Sequence, residues 1–182
     1  MTNDGDFPEI RTDRLLLRRI TAADLQRVYE GLSDPIVTEF YGVSYASLDD
    51  TRRQLSWYDS IYRDGTGLWW AIGTPSDRHV LFGAIGLNDL VALHRRAELG
   101  YWLLPRHWGS GLVTEALEAV LAYAFDTLQL MRIGAEVELD NVRSFNVLKR
   151  AGFHFEGVKR AAEIKNGAPL DLAVLSKLAS DR

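Results

Sequence analysis

The chain has 182 residues, a formal net charge of -4 at pH 7 and no cysteine. The lack of cysteine excludes a disulfide framework, a thiolate metal site and a cysteine nucleophile. The acidic balance argues against a nucleic-acid partner, which requires a concentrated basic surface. The polar N-terminus and the lack of an apolar run of about 20 residues predict a cytoplasmic protein without a membrane partner.

The first half of the chain predicts one strand, two helices and then three strands. Residues 14–20 form a leucine-rich run that favours a strand. Thr21 with Asp24, and Ser47 with Asp50, are typical of helix starts, where a hydroxyl caps the first turn and an acid follows it. The three strands are predicted at residues 68–72, 80–87 and 97–104.

The second half predicts two helices and three strands. Apolar residues at helical spacing indicate a long helix over residues 112–128. A second helix is predicted over residues 142–151, with Gly152 as its end. The strands are predicted at residues 133–137, 153–158 and 170–178, the last two joined by a tight Asn166-Gly167 turn.

This element order, β-α-α-β-β-β-α-β-α-β-β, is typical of an α+β domain with a mixed sheet. No linker, repeat or low-complexity stretch divides the chain. We therefore expect residues 1–8 to form a flexible N-terminal tail and residues 9–182 to form a single domain.

Residues 103–112 carry the clearest chemical signal, because they join a predicted strand to the longest predicted helix. Gly109 and Gly111 allow a tight turn and let backbone N–H groups approach a ligand. The following helix N-terminus suits a pyrophosphate, and Arg106 can add a charge-assisted contact. A glycine turn before a helix is also a common structural feature, so both interpretations stay open on this segment alone.

Two familiar phosphate loops do not fit this segment. A P-loop requires Lys and then Ser or Thr after its last glycine, whereas this chain has Leu112 and Val113. The dinucleotide fingerprint requires a third small residue where Thr114 stands, and its βαβ context is missing because antiparallel hairpins precede the loop.

The pattern Arg106-x-x-Gly109-x-Gly111 resembles the pyrophosphate loop of the GNAT acetyltransferase superfamily. More closely, the chain resembles the RimJ/RimL-type branch, the ribosomal-protein N-terminal acetyltransferases and their relatives. The matching segments cover nearly the whole chain in the same order: residues 12–18, 70–72, 83–87, 98–103 and 114–116, Asn141-x-x-Ser144, and residues 151–153. The resemblance implies a GNAT-like three-layer fold, with a mixed, mostly antiparallel sheet of about seven strands flanked by about four helices.

The resemblance also implies that acetyl-coenzyme A is the cosubstrate and that no metal is needed. The main chain of Leu103 and Leu104 would pair with the pantetheine arm, and the backbone of residues 106–113 would hold the pyrophosphate. Asn141 would contact pantetheine or act only as a helix cap. Asn146 and Lys149, on the helix that follows, would reach the phosphates of the coenzyme or face solvent. The expected coenzyme-binding residues are Leu103, Leu104, Arg106, Trp108, Gly109, Ser110, Gly111, Leu112, Val113, Asn141, Asn146 and Lys149.

Direct attack of an amine on the thioester needs a proton acceptor for the amine and a donor or stabiliser for the leaving thiolate. The resemblance implies that Glu98 is the general base, acting through water; its structural alternative is a salt bridge with Arg95 or Arg96. Many GNAT enzymes carry a tyrosine as general acid at the position of Leu148. The RimJ/RimL-type branch shares this departure, and the resemblance to it implies that Ser144 protonates the thiolate, which is the weaker of the two assignments.

We therefore predict an N-acetyltransferase that acetylates a primary amine, either a protein N-terminus or a small amine. Two alternatives stay open: a non-catalytic acyl-coenzyme A sensor, and an acyltransferase that uses another donor such as succinyl-coenzyme A. The acceptor groove is assigned to residues 39–67 and 161–169, which do not identify the acceptor. The likeness points to a bacterial protein, and a homodimer is left open.

Overall fold

The computed structural model describes residues 7–181, and the structural statements that follow refer to this range. Eight strands form one open sheet, and five α-helices accompany it. The strands are β1 (Ile10–Arg11), β2 (Leu16–Arg19), β3 (Leu68–Gly73), β4 (Gly83–Val91), β5 (Arg96–Leu103), β6 (Arg132–Glu138), β7 (His154–Lys165) and β8 (Ala168–Leu178). The helices are α1 (Leu25–Leu32), α2 (Pro35–Thr38), α3 (Leu48–Arg63), α4 (Leu112–Ala122) and α5 (Val142–Arg150).

The predicted mixed, mostly antiparallel sheet is confirmed, with one more strand and one more helix than expected. The two additions, β1 and α2, are only two and four residues long. Segments this short contain no full period of apolar residues, so sequence patterning does not reveal them.

Two element lengths also differ from the prediction. The helix predicted over residues 112–128 is α-helical only to Ala122 and then widens into a π-helical turn, Tyr123–Thr127. The last two strands extend to the Asn166-Gly167 turn, where both residues have positive φ (52° and 79°). Most side chains of β7 are exposed, so its length carries no apolar alternation that could predict it.

Most of the predicted tail, residues 1–6, lies outside the described residues. The remaining two tail residues pack against the domain. The Phe7 ring lies 5.0 Å from the ring of Tyr62, and Trp70 Nε1 donates a hydrogen bond to the Pro8 carbonyl at 2.7 Å. Phe7 and Pro8, which were assigned to the tail, therefore make contacts with the domain.

The sheet opens between two neighbouring strands. The strand order is β1-β2-β3-β4-β5-β6-β8-β7, and β5–β6 is the parallel pair among these strands. Pairing between them covers only Arg96–Glu98 with Arg132–Gly134. Beyond that point β5 stays paired with β4, and β6 stays paired with β8. The two strands therefore diverge and leave a gap in the middle of the sheet.

Side chains of β5 alternate between two cores, one on each face of the sheet. Leu99 and Leu103 pack with α4 in one core, and Trp102 packs with α1 and α3 in the other. This alternation places Tyr101 on the face of α4 and α5 and Glu98 on the opposite face. The register of one strand thus assigns two polar side chains to opposite sides of the gap.

Two glycines make room for the buried Trp69 ring. Gly86 and Gly100 are directly paired between β4 and β5, and a Cβ on Gly86 would lie 2.2 Å from Cγ of Trp69. We expect Gly86→Val to lower the free energy of unfolding by about 3 kcal/mol or more, since the indole has little room to move. Denaturant unfolding measures this loss. Gly42→Val is the control, because a Cβ there meets nothing within 4 Å; equal losses for both variants would contradict the packing argument.

Candidate active site

The gap between β5 and β6 opens into a cleft of about 1970 Å³. Its central walls are residues 99–103 of β5 and 135–137 of β6. The loop before α4 and the first turns of α5 line it on one face of the sheet. Residues around α2, including Phe40 and Tyr41, line it from the other face. The cleft therefore has walls on both faces of the sheet.

The gap leaves one edge of β5 without a strand partner beyond Glu98. Backbone amides and carbonyls along such an edge can pair with a ligand that itself carries amide groups, as an added strand would. The Leu103 carbonyl at this edge accepts a hydrogen bond from Trp108 Nε1 at 2.7 Å. The Trp108 side chain therefore contacts the same edge of β5 that is expected to bind the pantetheine arm.

The glycine loop depends on backbone conformations that favour glycine. Gly109 and Gly111 have φ of 74° and 77°, and both line the cleft. Gly111 is also the N-cap of α4, so the unpaired amides of the first helical turn begin directly after the loop. This geometry suits an anionic group such as a pyrophosphate.

The start of the chain anchors this loop. Arg14 donates from Nη1 to the Ser110 carbonyl at 3.1 Å and from Nε to Glu115 at 2.6 Å. Glu115 also accepts hydrogen bonds from the Thr12 hydroxyl and from the Arg14 backbone N–H. Thr12 and Arg14 thus hold the start of α4 and the glycine loop, a role that the sequence alone did not indicate.

Of the arginines near the loop, the predicted Arg106 and the unpredicted Arg143 are placed differently relative to the cleft. Arg106 does not line the cleft, because its guanidinium pairs with Glu30 on α1. Arg143, in the first turn of α5, does line the cleft, with its guanidinium 5.2 Å from the centre of the Trp108 ring. Arg143 was not among the predicted residues, and its place between the motif residues Asn141 and Ser144 is the signal that the sequence offers.

Most of the predicted coenzyme-binding residues are brought together in the cleft. Those that line it are Leu103, Trp108, Gly109, Gly111, Leu112, Val113, Asn141, Asn146 and Lys149. Leu104 is buried in the opposite core, and Ser110 donates its hydroxyl to the His107 carbonyl at 2.5 Å. Asn141 does cap α5, since its Oδ1 accepts from the Ser144 N–H at 3.1 Å. This cap leaves its amide NH₂ available to a ligand.

Ser144 lines the cleft beside a tyrosine from β5. Its Oγ lies 2.7 Å from the Tyr101 hydroxyl, and either group can donate. Burial raises the pKa of Tyr101 to about 12, so this phenol is protonated at neutral pH. Leu148, at the position of the tyrosine found in many GNAT enzymes, is 1% exposed and has no proton to donate.

Glu98 lies on the other face of β5, in a smaller pocket of about 510 Å³ that shares Glu136 with the main cleft. Its carboxylate sits against Gly134, where a Cβ would lie 2.3 Å from Oε2. Arg96 approaches only to 3.8 Å, and Arg95 instead donates to the Gln129 carbonyl. The predicted structural alternative, a salt bridge, is therefore a loose one.

The pKa of Glu98 is raised, first by burial and then by repulsion from Glu136. The positive charges of Arg132, Arg96 and Lys159 offset part of this rise. A carboxylate with a raised pKa is a stronger base than an ordinary one, which suits proton abstraction. Glu98 and Ser144 thus lie on opposite faces of the strand that borders the gap.

Comparisons with known proteins decide the family. The sequence model described as acetyltransferase (GNAT) domain matches residues 14–154. The chain belongs to the GNAT acetyltransferase family. An uncharacterized N-acetyltransferase, YoaA of Bacillus subtilis (strain 168), is 38% identical over 171 residues, 93% of this chain and 96% of that protein. The ribosomal-protein-serine acetyltransferase of Escherichia coli (strain K12) is 30% identical over 132 residues, 72% of each chain.

Solved structures confirm the fold of this GNAT acetyltransferase. The structure of RimL, a ribosomal L7/L12 alpha-N-protein acetyltransferase in complex with coenzyme A, superposes with a TM-score of 0.84 at 21% identity. The match covers 96% of this chain and 100% of that one. The predicted likeness to the RimJ/RimL-type branch is confirmed by the 30% identity to the ribosomal-protein-serine acetyltransferase, which covers 72% of this chain.

These findings establish the chemistry at family level. The protein is an N-acetyltransferase whose cosubstrate is acetyl-coenzyme A, as predicted. They favour neither the sensor nor the alternative-donor hypothesis. Between residues 7 and 181, no cluster of three or more His, Cys, Asp or Glu side chains is suited to hold a metal ion. No helix in that range has the length and apolarity required to cross a membrane.

Proposed function

We propose that this GNAT acetyltransferase acetylates the primary amine of a peptide N-terminus, with Glu98 as general base and Ser144 as general acid. The observation that carries the proposal is the placement of these two groups on opposite faces of β5 beside the gap. A thioester carbonyl held in the gap is attacked from the Glu98 face. Its sulfur then departs on the face of α5.

The coenzyme enters from the face of α4 and α5 in this proposal. The free edge of β5 pairs with the amides of pantetheine, and the backbone at Gly109 and Gly111 holds the pyrophosphate. Arg143 replaces Arg106 as the arginine near the phosphates, because it faces the loop and Arg106 is paired with Glu30. Asn146 and Lys149 line the same part of the cleft.

The acceptor approaches from the opposite face. The two segments assigned to the acceptor groove meet there, since Lys165 contacts the Glu39 carbonyl and lies 5.4 Å from the Phe40 ring centre. Lys165 also pairs with Glu138 at 2.7 Å. The tip of the β7–β8 hairpin thereby closes one side of the acceptor entrance.

Carboxylates near this entrance can attract a cationic amine, although Lys159 pairs with Glu136 and Lys165 pairs with Glu138. Glu39 and Glu136 line the cleft, and Glu98 adjoins it. A protonated amine is attracted to these carboxylates. It must lose a proton before it attacks, and the raised pKa of Glu98 suits that carboxylate to accept the proton.

A peptide is favoured over a small amine because the cleft is lined from both faces of the sheet, and because the Escherichia coli relative is a ribosomal-protein-serine acetyltransferase. The test uses three acceptors with labelled acetyl-coenzyme A: a serine-initiated peptide that contains one lysine, the same peptide with a formylated N-terminus, and spermidine. We expect acetylation of the free peptide only. Acetylation of spermidine alone would assign the enzyme to small amines, and labelling of the formylated peptide would assign it to lysine side chains.

We further propose that the enzyme is bacterial and works in the cytoplasm. The support is that its relatives named above are bacterial proteins. Association of two copies stays a prediction, and sedimentation of the purified protein tests it.

A further inference from the structure

We propose that Tyr101 is a positioning residue that delivers a proton to the departing thiolate through Ser144. The hydroxyl pair would then replace the tyrosine that many GNAT enzymes carry at the position of Leu148. This inference rests on the proposed role of Ser144 at the cleft, and it assigns to Tyr101 a function that the sequence motifs do not indicate.

The hydroxyl groups of Tyr101 and Ser144 form one hydrogen-bonded pair. The Tyr101 hydroxyl lies 2.7 Å from Ser144 Oγ, and its longer hydrogen bond, at 3.5 Å, goes to the Ser144 carbonyl. Both residues line the cleft. Tyr101 belongs to the part of β5 that has lost its β6 partner, so it borders the gap where the thioester would lie. The cap from Asn141 to the Ser144 N–H holds the serine in place.

A serine alone is a poor proton donor. Its loss of a proton would leave an alkoxide, and an aliphatic hydroxyl is about as weak an acid as water, whose pKa is about 15.7. The pKa of Tyr101 is about 12, so a phenol behind the serine lowers the cost of the transfer by several powers of ten. A thiol has a pKa of about 8.5, so its thiolate needs only moderate help to leave.

The proton transfers balance as follows. The amine nitrogen forms a bond to the acyl carbon and gives one proton to Glu98 through water. The carbon–sulfur bond then breaks, and its electron pair stays on sulfur. Sulfur takes the Ser144 hydroxyl proton while Ser144 takes the Tyr101 proton. The resulting phenolate recovers, through solvent, the proton that the amine released.

Neighbouring groups do not offer this route. Leu148 is apolar, and the His107 ring packs on Phe82 with centroids 4.6 Å apart. Burial, and then the charge of Arg106, lower the pKa of His107, so its imidazole is neutral at pH 7. His107 Nε2 also accepts a hydrogen bond from Arg106 at 3.2 Å. The Tyr101–Ser144 pair is therefore the better protonated donor.

The test is a double-mutant cycle on thiol release from acetyl-coenzyme A. The variants are Tyr101→Phe, Ser144→Ala and the double variant, with Tyr123→Phe as a control that removes a phenol next to Trp70 instead. We expect Tyr101→Phe to lower kcat about 10- to 100-fold without changing the KM for acetyl-coenzyme A. The double variant should be no slower than Ser144→Ala, because both changes interrupt the same path of proton transfer. Full kcat in Tyr101→Phe, or effects that multiply in the double variant, would overturn the proposal.

A second measurement separates acidity from packing. A fluorinated tyrosine at position 101 keeps the ring and the hydroxyl but has a lower phenol pKa. We expect the alkaline limit of thiol release to move to lower pH, and an unchanged limit would count against a relay. Release is measured both with a peptide acceptor and with water as the nucleophile. If the native enzyme releases thiol with water but not with the peptide, the proposed acceptor is refuted. The water reaction then still tests the relay.

Discussion

Glu98→Gln is expected to lower kcat by about 100-fold or more while acetyl-coenzyme A still binds normally. Glutamine keeps the size and the hydrogen-bonding ability of the side chain but cannot accept the amine proton. Coenzyme binding should persist, because Glu98 faces away from the glycine loop and does not line the main cleft. Initial rates of peptide acetylation and calorimetric titration with acetyl-coenzyme A measure the two effects.

Glu9→Gln is the matched control, since Glu9 is exposed, pairs with Arg78 and lines neither pocket, so this change should leave kcat unaltered. Equal turnover of Glu98→Gln and the native enzyme would remove Glu98 from the mechanism. Loss of both turnover and coenzyme binding would instead indicate that Glu98 supports the shape of the gap.

The pH profile gives a second signature of the same base. A carboxylate is active when deprotonated, so turnover falls as the pH drops through the pKa of Glu98, which lies above 4.5. Glu136→Gln removes a repulsive charge and releases Lys159 from its ion pair with Glu136. Both changes lower the pKa of Glu98. The acidic limit of kcat should therefore move to lower pH, and a shift to higher pH would contradict this assignment.

Gly109→Trp is expected to abolish acetyl-coenzyme A binding without unfolding the protein. Gly109 lines the cleft, and a Cβ there meets nothing within 4 Å, so an indole would project into open space that the pyrophosphate requires. The positive φ of 74° adds strain of about 1–2 kcal/mol for any residue with a side chain. Calorimetric titration with acetyl-coenzyme A measures the loss.

Gly167→Trp controls for that strain. Gly167 has a φ of 79°, a Cβ there also meets nothing within 4 Å, and it lies in the turn between β7 and β8. We expect this variant to bind acetyl-coenzyme A like the native protein. Undiminished binding by Gly109→Trp would show that the coenzyme phosphates lie elsewhere in the cleft.

Local features of the fold could be predicted because neighbouring residues decide them. The Ser47 hydroxyl accepts from the Asp50 N–H, and Thr21 with Asp24 forms a capping box, as their spacing indicated. The Asn166-Gly167 turn follows from two residues that tolerate positive φ. The short β1 and the widened end of α4 escaped prediction, since no local periodicity marks them.

The partners of the site residues could not be predicted in the same way. Arg106 pairs with Glu30, 76 positions earlier, and Tyr101 meets Ser144, 43 positions later. Such pairs depend on which strands and helices become neighbours. From the sequence, Arg106 was expected beside a phosphate and Tyr101 had no assigned role. The residues next to each of them in the chain do not indicate which distant side chain it will contact.

The sequence by itself therefore determined the family, the order of the elements and the position of the glycine loop, since these depend on local backbone conformation and on residue types at short spacing. Only the tertiary structure decided where the gap opens. That depends on β5 and β6 pairing over three residues and then diverging. The divergence exposes one edge of β5, and strand alternation then places Glu98 and Tyr101 on opposite faces. The divergence arises from contacts between residues far apart in the chain, which no local pattern records.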